Sequence, residues 1–207
     1  MINSFINIGG YLNVIAGVSL LVYWYAFVIF MPYRQLSTTL AILVKNQNWK
    51  WINALGAFGA LMGLLGQAGI YVAQSASMNM YASIGFYVAT TGTTLLIGTM
   101  LWETILWPIL VKENEALLSF QGPIYQSKGF FPFFIVAGLI YSMGYVLVGI
   151  GIVKVGVLPS IAGILVAVGA PTFGLGSLFG NYQVYIRSLG ITLMSAGLIW
   201  LGVEMLA

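Results

Sequence analysis

The chain has 207 residues, of which 60% are apolar and 5% are charged, and its formal net charge at pH 7 is +3. Because a soluble domain carries about 25% charged residues, this composition excludes a water-soluble globule, a disordered chain and a nucleic-acid-binding protein. The sequence predicts an integral membrane protein.

Six segments are apolar and long enough to cross the hydrocarbon core as helices, which takes about 20 residues each. They run approximately over residues 11–32, 53–74, 81–110, 131–153, 158–179 and 187–206. These spans and their connections occupy residues 1–207. The sequence therefore predicts one transmembrane domain of the all-α class, a polytopic bundle of six helices.

The cationic residues are divided unevenly between the two sides of such a bundle. One side carries Arg34, Lys45, Lys50, Lys112, Lys128 and Arg187, and the other carries Lys154. Because Lys and Arg concentrate in cytoplasmic loops, we expect loops 33–52, 111–130 and 180–186 to be cytoplasmic. Both termini then lie outside, and we expect a prokaryotic plasma (inner) membrane.

Tryptophans lie near the predicted ends of several spans, where aromatic rings favour the headgroup level. These tryptophans are Trp49, Trp51, Trp102, Trp107 and Trp200. The first long loop also contains TTLAILVKNQNWKW (38–51), a pattern typical of an amphipathic helical turn on the membrane surface.

The sequence contains no His and no Cys. Zinc sites and most haem sites use these residues, so we expect no His- or Cys-ligated haem, chlorophyll or metal, and the cofactors stay unknown. A Ser-His-Asp or Cys-His nucleophile cannot form, and we expect no enzymatic activity. Met78 and Met80 alone make a weak Cu(I) site.

Small residues recur at four-residue spacing within several predicted spans. The examples are Gly59 with Gly63, Gly85 with Ala89, and Ala170 with Gly174. Such spacing lets membrane helices approach closely. We interpret these stripes as packing faces within the bundle, and the alternative is a docking face for another membrane subunit.

Glu103 is the single acidic residue well inside a predicted span, more than two helical turns before Lys112. A carboxylate at that depth is costly unless it is paired, hydrated or protonated. Arg34 and Arg187 lie at comparable depth, and we expect Glu103 to face the bundle interior and to meet one of them. The residues form either a structural ion pair or a proton or ion site.

Two prolines fall inside predicted spans, Pro108 and Pro171. Each removes a backbone hydrogen bond and should kink or end its helix. Broken membrane helices can expose backbone groups to a substrate, although such kinks are also common in ordinary membrane helices.

Several polar side chains lie at mid-depth. Thr90, Thr91 and Thr94 in span 3, together with Gln67 in span 2, are candidates to line a small polar cavity. The alternative is local bonding, because Thr can donate to the carbonyl four residues earlier in its own helix and Gln can link two helices.

Three stretches, WETILWP (102–108), SFQGPIY (119–125) and GVLPSIAGILVAVGAP (156–171), resemble uncharacterised small six-span integral membrane proteins of prokaryotes. The resemblance implies a six-helix bundle and supplies no activity, ligand or site residue.

Three functional hypotheses follow from the sequence. The first is a non-catalytic subunit of a larger membrane protein complex, whose partners are the lipid bilayer, other membrane subunits, or bound pigments and cofactors. The second is a small transporter or channel that uses Glu103 as its proton or cation site. The third, an intramembrane enzyme acting on a lipid, has the least support because no nucleophile-base pair is visible. The sequence favours the first hypothesis.

Overall fold

The computed structural model describes residues 2–32, 39–119 and 121–207, except for the side chain of Phe131. The described residues are 87% helical and contain no β-strand. Their α-helices are α1 (Ile2–Phe30), α2 (Leu40–Lys45), α3 (Trp49–Gln74), α4 (Met80–Leu101), α5 (Trp107–Glu113), α6 (Phe130–Val155), α7 (Ser160–Leu175) and α8 (Gln183–Glu204). The predicted all-α class is confirmed.

Five helical stretches are long and apolar enough to cross a membrane. They are Ile2–Phe30, Trp49–Ser77, Met80–Glu113, Pro132–Val155 and Ser160–Glu204. These lengths and compositions are those of an integral membrane protein, as the sequence predicted.

The fifth stretch, Ser160–Glu204, contains two long helices, α7 and α8. These two helices pack against each other in antiparallel orientation. A Cβ built on Gly197 of α8 would lie 2.8 Å from the Ala162 carbonyl oxygen near the start of α7. The chain reverses between them through a 3-10 segment, Gly176–Tyr182, in which Gly180 has φ 51°. Glycine adopts this left-handed backbone without the steric cost of a Cβ.

The six long helices form a ring of packed neighbours in the order α1, α3, α4 with α5, α6, α7 and α8, and α8 returns to α1. Glycine permits the close approaches. A Cβ on Gly85 of α4 would lie 2.6 Å from the Val148 backbone nitrogen of α6, which is nearer than real atoms pack. In lipid the hydrophobic effect does not drive helices together, so van der Waals contacts at such close approaches supply much of the stability of a helix pair.

The predicted packing residues occupy interfaces of different tightness. A Cβ on Gly59 would lie 3.0 Å from Ser19 Cβ, whereas one on Gly63 would lie at an ordinary 3.6 Å from Ala16 Cβ. Ala170 is fully buried, and a Cβ on Gly174 would lie 2.9 Å from the Ser142 hydroxyl oxygen. All of these contacts lie within the chain.

Helix α1 begins at Ile2 and not near residue 11 as predicted. The reason is the Gly9-Gly10 pair, which resembles a loop signal in the sequence. Gly9 lies against Gly69 of α3, and Gly10 lies against Gly202 of α8. These glycines bring three helices together inside the bundle and do not end α1.

The two long connections meet at one end of the bundle. Helix α2 lies in the first, within the predicted amphipathic segment, and buries Leu43 and Val44. Lys45 of α2 forms a salt bridge with Glu115, which lies in the 3-10 segment Glu115–Leu118 of the other connection. The salt bridge therefore joins the two connections at this end of the bundle. We call it the inner end, because it carries most of the cationic residues.

Candidate functional site

A π-helical turn, Trp102–Leu106, joins α4 to α5 immediately before Pro108. The Trp107 N–H bonds to the Trp102 carbonyl, five residues back, and Pro108 has no N–H. The Glu103 carbonyl is thus left without its usual intrahelical donor. The sequence predicts that Pro108 kinks or ends its helix, and the structure has a wider π-helical turn there, after which the helix continues as α5. Such π-bulges are frequent at functional sites.

The indole of Trp49 supplies the missing donor. Its Nε1 donates a hydrogen bond of 2.7 Å to the Glu103 carbonyl oxygen. Trp49 is only 2% exposed, and its ring stacks on Trp107 with centroids 6.0 Å apart. Trp49 and Trp107 are therefore buried inside the protein, and their predicted depth at the headgroup level stays a prediction.

A cavity of about 460 Å³ occupies the inner half of the bundle. All six long helices contribute to its wall, and Leu40 and Leu43 of α2 lie on its inner side. The volume falls within the range of about 300–1,000 Å³ that is usual for pockets binding small molecules.

Glu103 and Arg187 both line this cavity. Among the described residues the one salt bridge within 4.0 Å joins Lys45 to Glu115, so Glu103 and Arg187 share the cavity without a direct ion pair. Arg34, the other predicted partner, lies outside the described residues. Charges at membrane depth are costly when unpaired, so the space between Glu103 and Arg187 is suited to water or a polar ligand.

Aromatic rings fix the guanidinium of Arg187. Its Cζ lies 4.3 Å from the Trp24 ring centroid and 4.6 Å from that of Phe173. Cation–π contacts of this kind stabilise a cation in a partly desolvated site. The buried Nε of Arg187 has no hydrogen-bond partner within the described part of the chain, so a donor is held in place with its bonding capacity unused.

The aromatic wall continues around the cavity. Trp24 stacks on Phe27, and Phe27 meets Trp49 edge to face. The stacked pair of Trp49 and Trp107 leads on to Phe134 of α6, whose centroid is 6.5 Å from that of Trp107. The sequence signal for this wall was present as aromatic residues near span ends, but burial could not be read from it.

The connection before α6 also reaches the site. Burial and then the nearby negative charge of Glu103 raise the pKa of Tyr125 to about 12. Tyr125 meets Phe130 edge to face at 5.9 Å, and Phe130 packs on Phe134 at 4.8 Å. A neutral Tyr125 therefore lies within electrostatic reach of Glu103 from the inner end.

The predicted polar residues at mid-depth separate into two groups. Thr91 and Thr94 are exposed and donate to the carbonyls of Tyr87 and Thr90 in their own helix. The structure therefore does not bring them to a cavity, and the local-bonding alternative describes them. Gln67 is 2% exposed and links α3 to α4 and α6.

Tyr145 is the centre of a second polar cluster, formed with Gln67, Thr90 and Thr93, and no pattern in the sequence predicted its role. Its hydroxyl accepts a hydrogen bond from Gln67 Nε2 and a longer one, 3.4 Å, from Thr93 Oγ1. Thr90 Oγ1 lies 3.5 Å from Gln67 Oε1. The Tyr145 ring packs 4.8 Å from that of Tyr141, which lines the large cavity.

The fold and site define a helical integral membrane protein with an internal charged and aromatic cavity. No family model, no curated protein and no solved structure matches this chain.

Proposed function

We propose that this protein is a small membrane transporter whose solute binds in the inner cavity, with Glu103 as the proton- or cation-binding carboxylate. The observation that carries the proposal is that Glu103 and Arg187 line one cavity of about 460 Å³ without an ion pair between them. A purely structural charge pair would be expected to close this gap, because an open gap leaves both charges poorly compensated.

Protonation or cation binding at Glu103 changes the charge of the cavity beside a fixed guanidinium. The titratable groups that face it are Arg187 from α8, Tyr23 from α1, Tyr141 from α6 and Tyr125 from the preceding connection. With Glu103 neutral, Arg187 is free to bind an anion. With Glu103 charged, the cavity favours a cation or an empty state. This alternation couples solute binding to a proton or cation.

A route to the opposite end passes through the second polar cluster. Tyr141 lines the inner cavity, Tyr145 packs on it, and Gln67 bonds to Tyr145. Gln67 also lines a much smaller pocket toward the outer end, together with Gln74 and other residues. A large cavity in the inner half and a hydrogen-bonded polar cluster at the level of Tyr145 suit one state of alternating access, and they support the proposal.

For the arrangement in the membrane, we propose six spans, one for each long helix, in the plasma membrane with both termini outside. Lys45, Lys50, Lys112 and Lys128 lie in or beside the inner connections, whereas Lys154 lies at the other end, over the Tyr81 ring. Because the sequence has no Cys, a single introduced cysteine is the only thiol that can be labelled, and its labelling reports on which side of the membrane that position lies. A membrane-impermeant maleimide applied to intact cells should label Ser77→Cys and spare Gln121→Cys; the reverse pattern contradicts this orientation.

Solute-dependent flux in proteoliposomes tests the transport proposal. Vesicles loaded with a pH dye receive methanesulfonate, betaine or tetraethylammonium under an imposed K⁺ diffusion potential. We expect at least one solute to drive proton or solute flux above protein-free vesicles, and Glu103→Gln to abolish it. Glu113→Gln is the matched control, since this carboxylate is exposed at the end of α5.

Two outcomes contradict the transport proposal. One is wild-type protein that gives no flux with any of the three solutes and none with an anionic amphiphile, and the other is Glu103→Gln protein with unchanged flux. Circular dichroism and gel filtration of each variant in detergent separate lost folding from lost transport.

The membrane-subunit hypothesis stays a prediction, as does the expectation that the chain has no enzymatic activity. Exposed apolar side chains occur on every long helix, for example Ile29 on α1 and Ile161 on α7. This distribution suits a lipid surface all around the bundle and marks no single face for a partner.

A further inference from the structure

Helix α6 packs tightly on both of its neighbours in its outer half. A Cβ on Gly151 would lie 2.7 Å from Ala82 Cα of α4, and a Cβ on Gly163 of α7 would lie 2.8 Å from Ile152 Cγ2 of α6. No room exists for a side chain or a ligand at these crossings.

In the inner half, one glycine of α4 and one of α6 face open space. A Cβ built on Gly138 of α6, or on Gly98 of α4, would meet no heavy atom within 4 Å in the described part of the chain. Helix α6 still meets α5 here through Phe134 and Trp107, whose ring centroids are 6.5 Å apart, and the open space beside Gly138 belongs to the cavity.

The cavity reaches the outer surface of the bundle. Ile135 and Leu139 of α6 line the cavity, yet they are 47% and 42% exposed, and Leu178 after α7 lines it and is 76% exposed. A wall residue that is also exposed marks an opening in the wall. The exposed residues at this edge of the cavity are apolar, which suits contact with the hydrocarbon of a membrane.

The wall of the cavity also carries two charged residues. Arg187 is held between Trp24 and Phe173 with a buried Nε that bonds to nothing in the described chain, and Glu103 lies across the space. A guanidinium that lines a cavity recognises carboxylate or phosphate oxygens. A molecule that matches the charged and the apolar parts of this lining has an anionic head and an apolar chain.

We propose that the cavity takes a single-chain anionic amphiphile from the inner leaflet, which enters sideways between α6 and α7. Its head binds Arg187, its chain lies along Ile135, Leu139 and Leu178, and a proton on Glu103 removes the repulsion between the head and this carboxyl. The inference deepens the proposed transport function by naming the substrate class, and its binding test does not depend on transport.

Equilibrium binding of tritiated hexadecyl phosphate to the protein in phosphatidylcholine nanodiscs tests the inference. We expect saturable binding that Arg187→Gln weakens about tenfold or more, as the loss of a charge-assisted hydrogen bond predicts. Lys128→Gln should change it less than about twofold, because this cation is exposed at the same end of the bundle and outside the cavity.

Competing ligands test which head group the site recognises, and tryptophan variants test the route of entry. Hexadecanoate should compete, whereas hexadecyltrimethylammonium and methyl phosphate should not. Leu139→Trp should slow or abolish binding by filling the opening, while Leu65→Trp, on an exposed part of α3, should not. Variants are compared only after gel filtration shows a folded protein.

The results separate this inference from the transport proposal. Equal competition by methyl phosphate, equal competition by the ammonium amphiphile, or no effect of Arg187→Gln would overturn the amphiphile site. If those results occur while Glu103-dependent flux of a soluble solute is present, transport stands without this substrate class. Arg187-dependent amphiphile binding without any flux supports the site and removes the transport proposal.

Discussion

The hydrogen bond from Trp49 to the Glu103 carbonyl gives a prediction whose size follows from the structure. Trp49→Phe keeps a ring in the stack on Trp107 but removes the donor 2.7 Å from that carbonyl. Pro108 and the π-helical turn leave this carbonyl with no backbone donor. A fully buried carbonyl that loses its partner costs about 1–3 kcal/mol. This hydrogen bond is partly buried, so we expect the free energy of unfolding to fall by about 1–2 kcal/mol.

A double-mutant cycle with Pro108→Ala isolates the hydrogen bond. With an N–H at residue 108 the segment can return to α-helical bonding, in which the Trp107 N–H reaches the Glu103 carbonyl. In that background Trp49→Phe should lose only its packing contribution. We expect a coupling free energy of about 1–2 kcal/mol between the two sites.

The measurement is reversible unfolding in mixed detergent micelles, followed by circular dichroism as the mole fraction of dodecyl sulfate rises. Trp51→Phe is the control, because this indole is 44% exposed and donates to Asn48 Oδ1 within its own turn. The changes in the free energy of unfolding caused by Trp51→Phe and by Pro108→Ala should be additive to within about 0.5 kcal/mol. If Trp49→Phe is equally additive, the argument that Trp49 replaces the missing backbone donor is refuted.

The same unfolding assay checks two further predictions. Gly85→Ala should destabilise the protein by about 1–3 kcal/mol, because its methyl group would overlap the backbone of α6, whereas Gly63→Ala should be neutral or stabilise by up to about 1 kcal/mol; similar effects at both positions would contradict the difference in tightness. Tyr145→Phe should cost about 1–2 kcal/mol by leaving Gln67 without its partner. Thr91→Val should change the free energy of unfolding by less than about 0.5 kcal/mol, since the Thr91 hydroxyl bonds within its own exposed turn. If Thr91→Val and Tyr145→Phe destabilise the protein equally, Thr91 belongs to a polar cavity, as the sequence predicted.

The helices could be predicted because hydropathy over about 20 residues is a local property of the sequence. The start of α1 could not, since Gly9 and Gly10 favour a helix only through their contacts with α3 and α8. Pro108 predicted a disturbance, and its form, a π-helical turn with a donor from Trp49, depends on a residue 54 positions away in the chain.

The site could be predicted only in part, because part of it depends on contacts between residues that are distant in the sequence. A lone carboxylate inside an apolar span, Glu103, is visible in one sequence, and Arg187 could be placed at similar depth. Whether these two residues touch or face each other across a space depends on how far six helices lie apart. Thr91 and Tyr145 show the limit: both are polar residues at mid-depth, and only the rotation of each helix separates the exposed one from the buried one.

The distribution of tight and loose glycine contacts relates the fold to the proposed function. Gly85 and Gly151 hold α4 and α6 together in the outer half, whereas Gly98 and Gly138 meet nothing within 4 Å among the described residues of the inner half. Packing stabilises membrane helices only where atoms touch, so the open space beside Gly138 contributes nothing to the stability of this part of α6. The charges of Glu103 and Arg187 lie beside this loosely packed part. A substrate that compensates both charges would therefore also supply the missing contacts to α6, and binding would be coupled to closure of this open space.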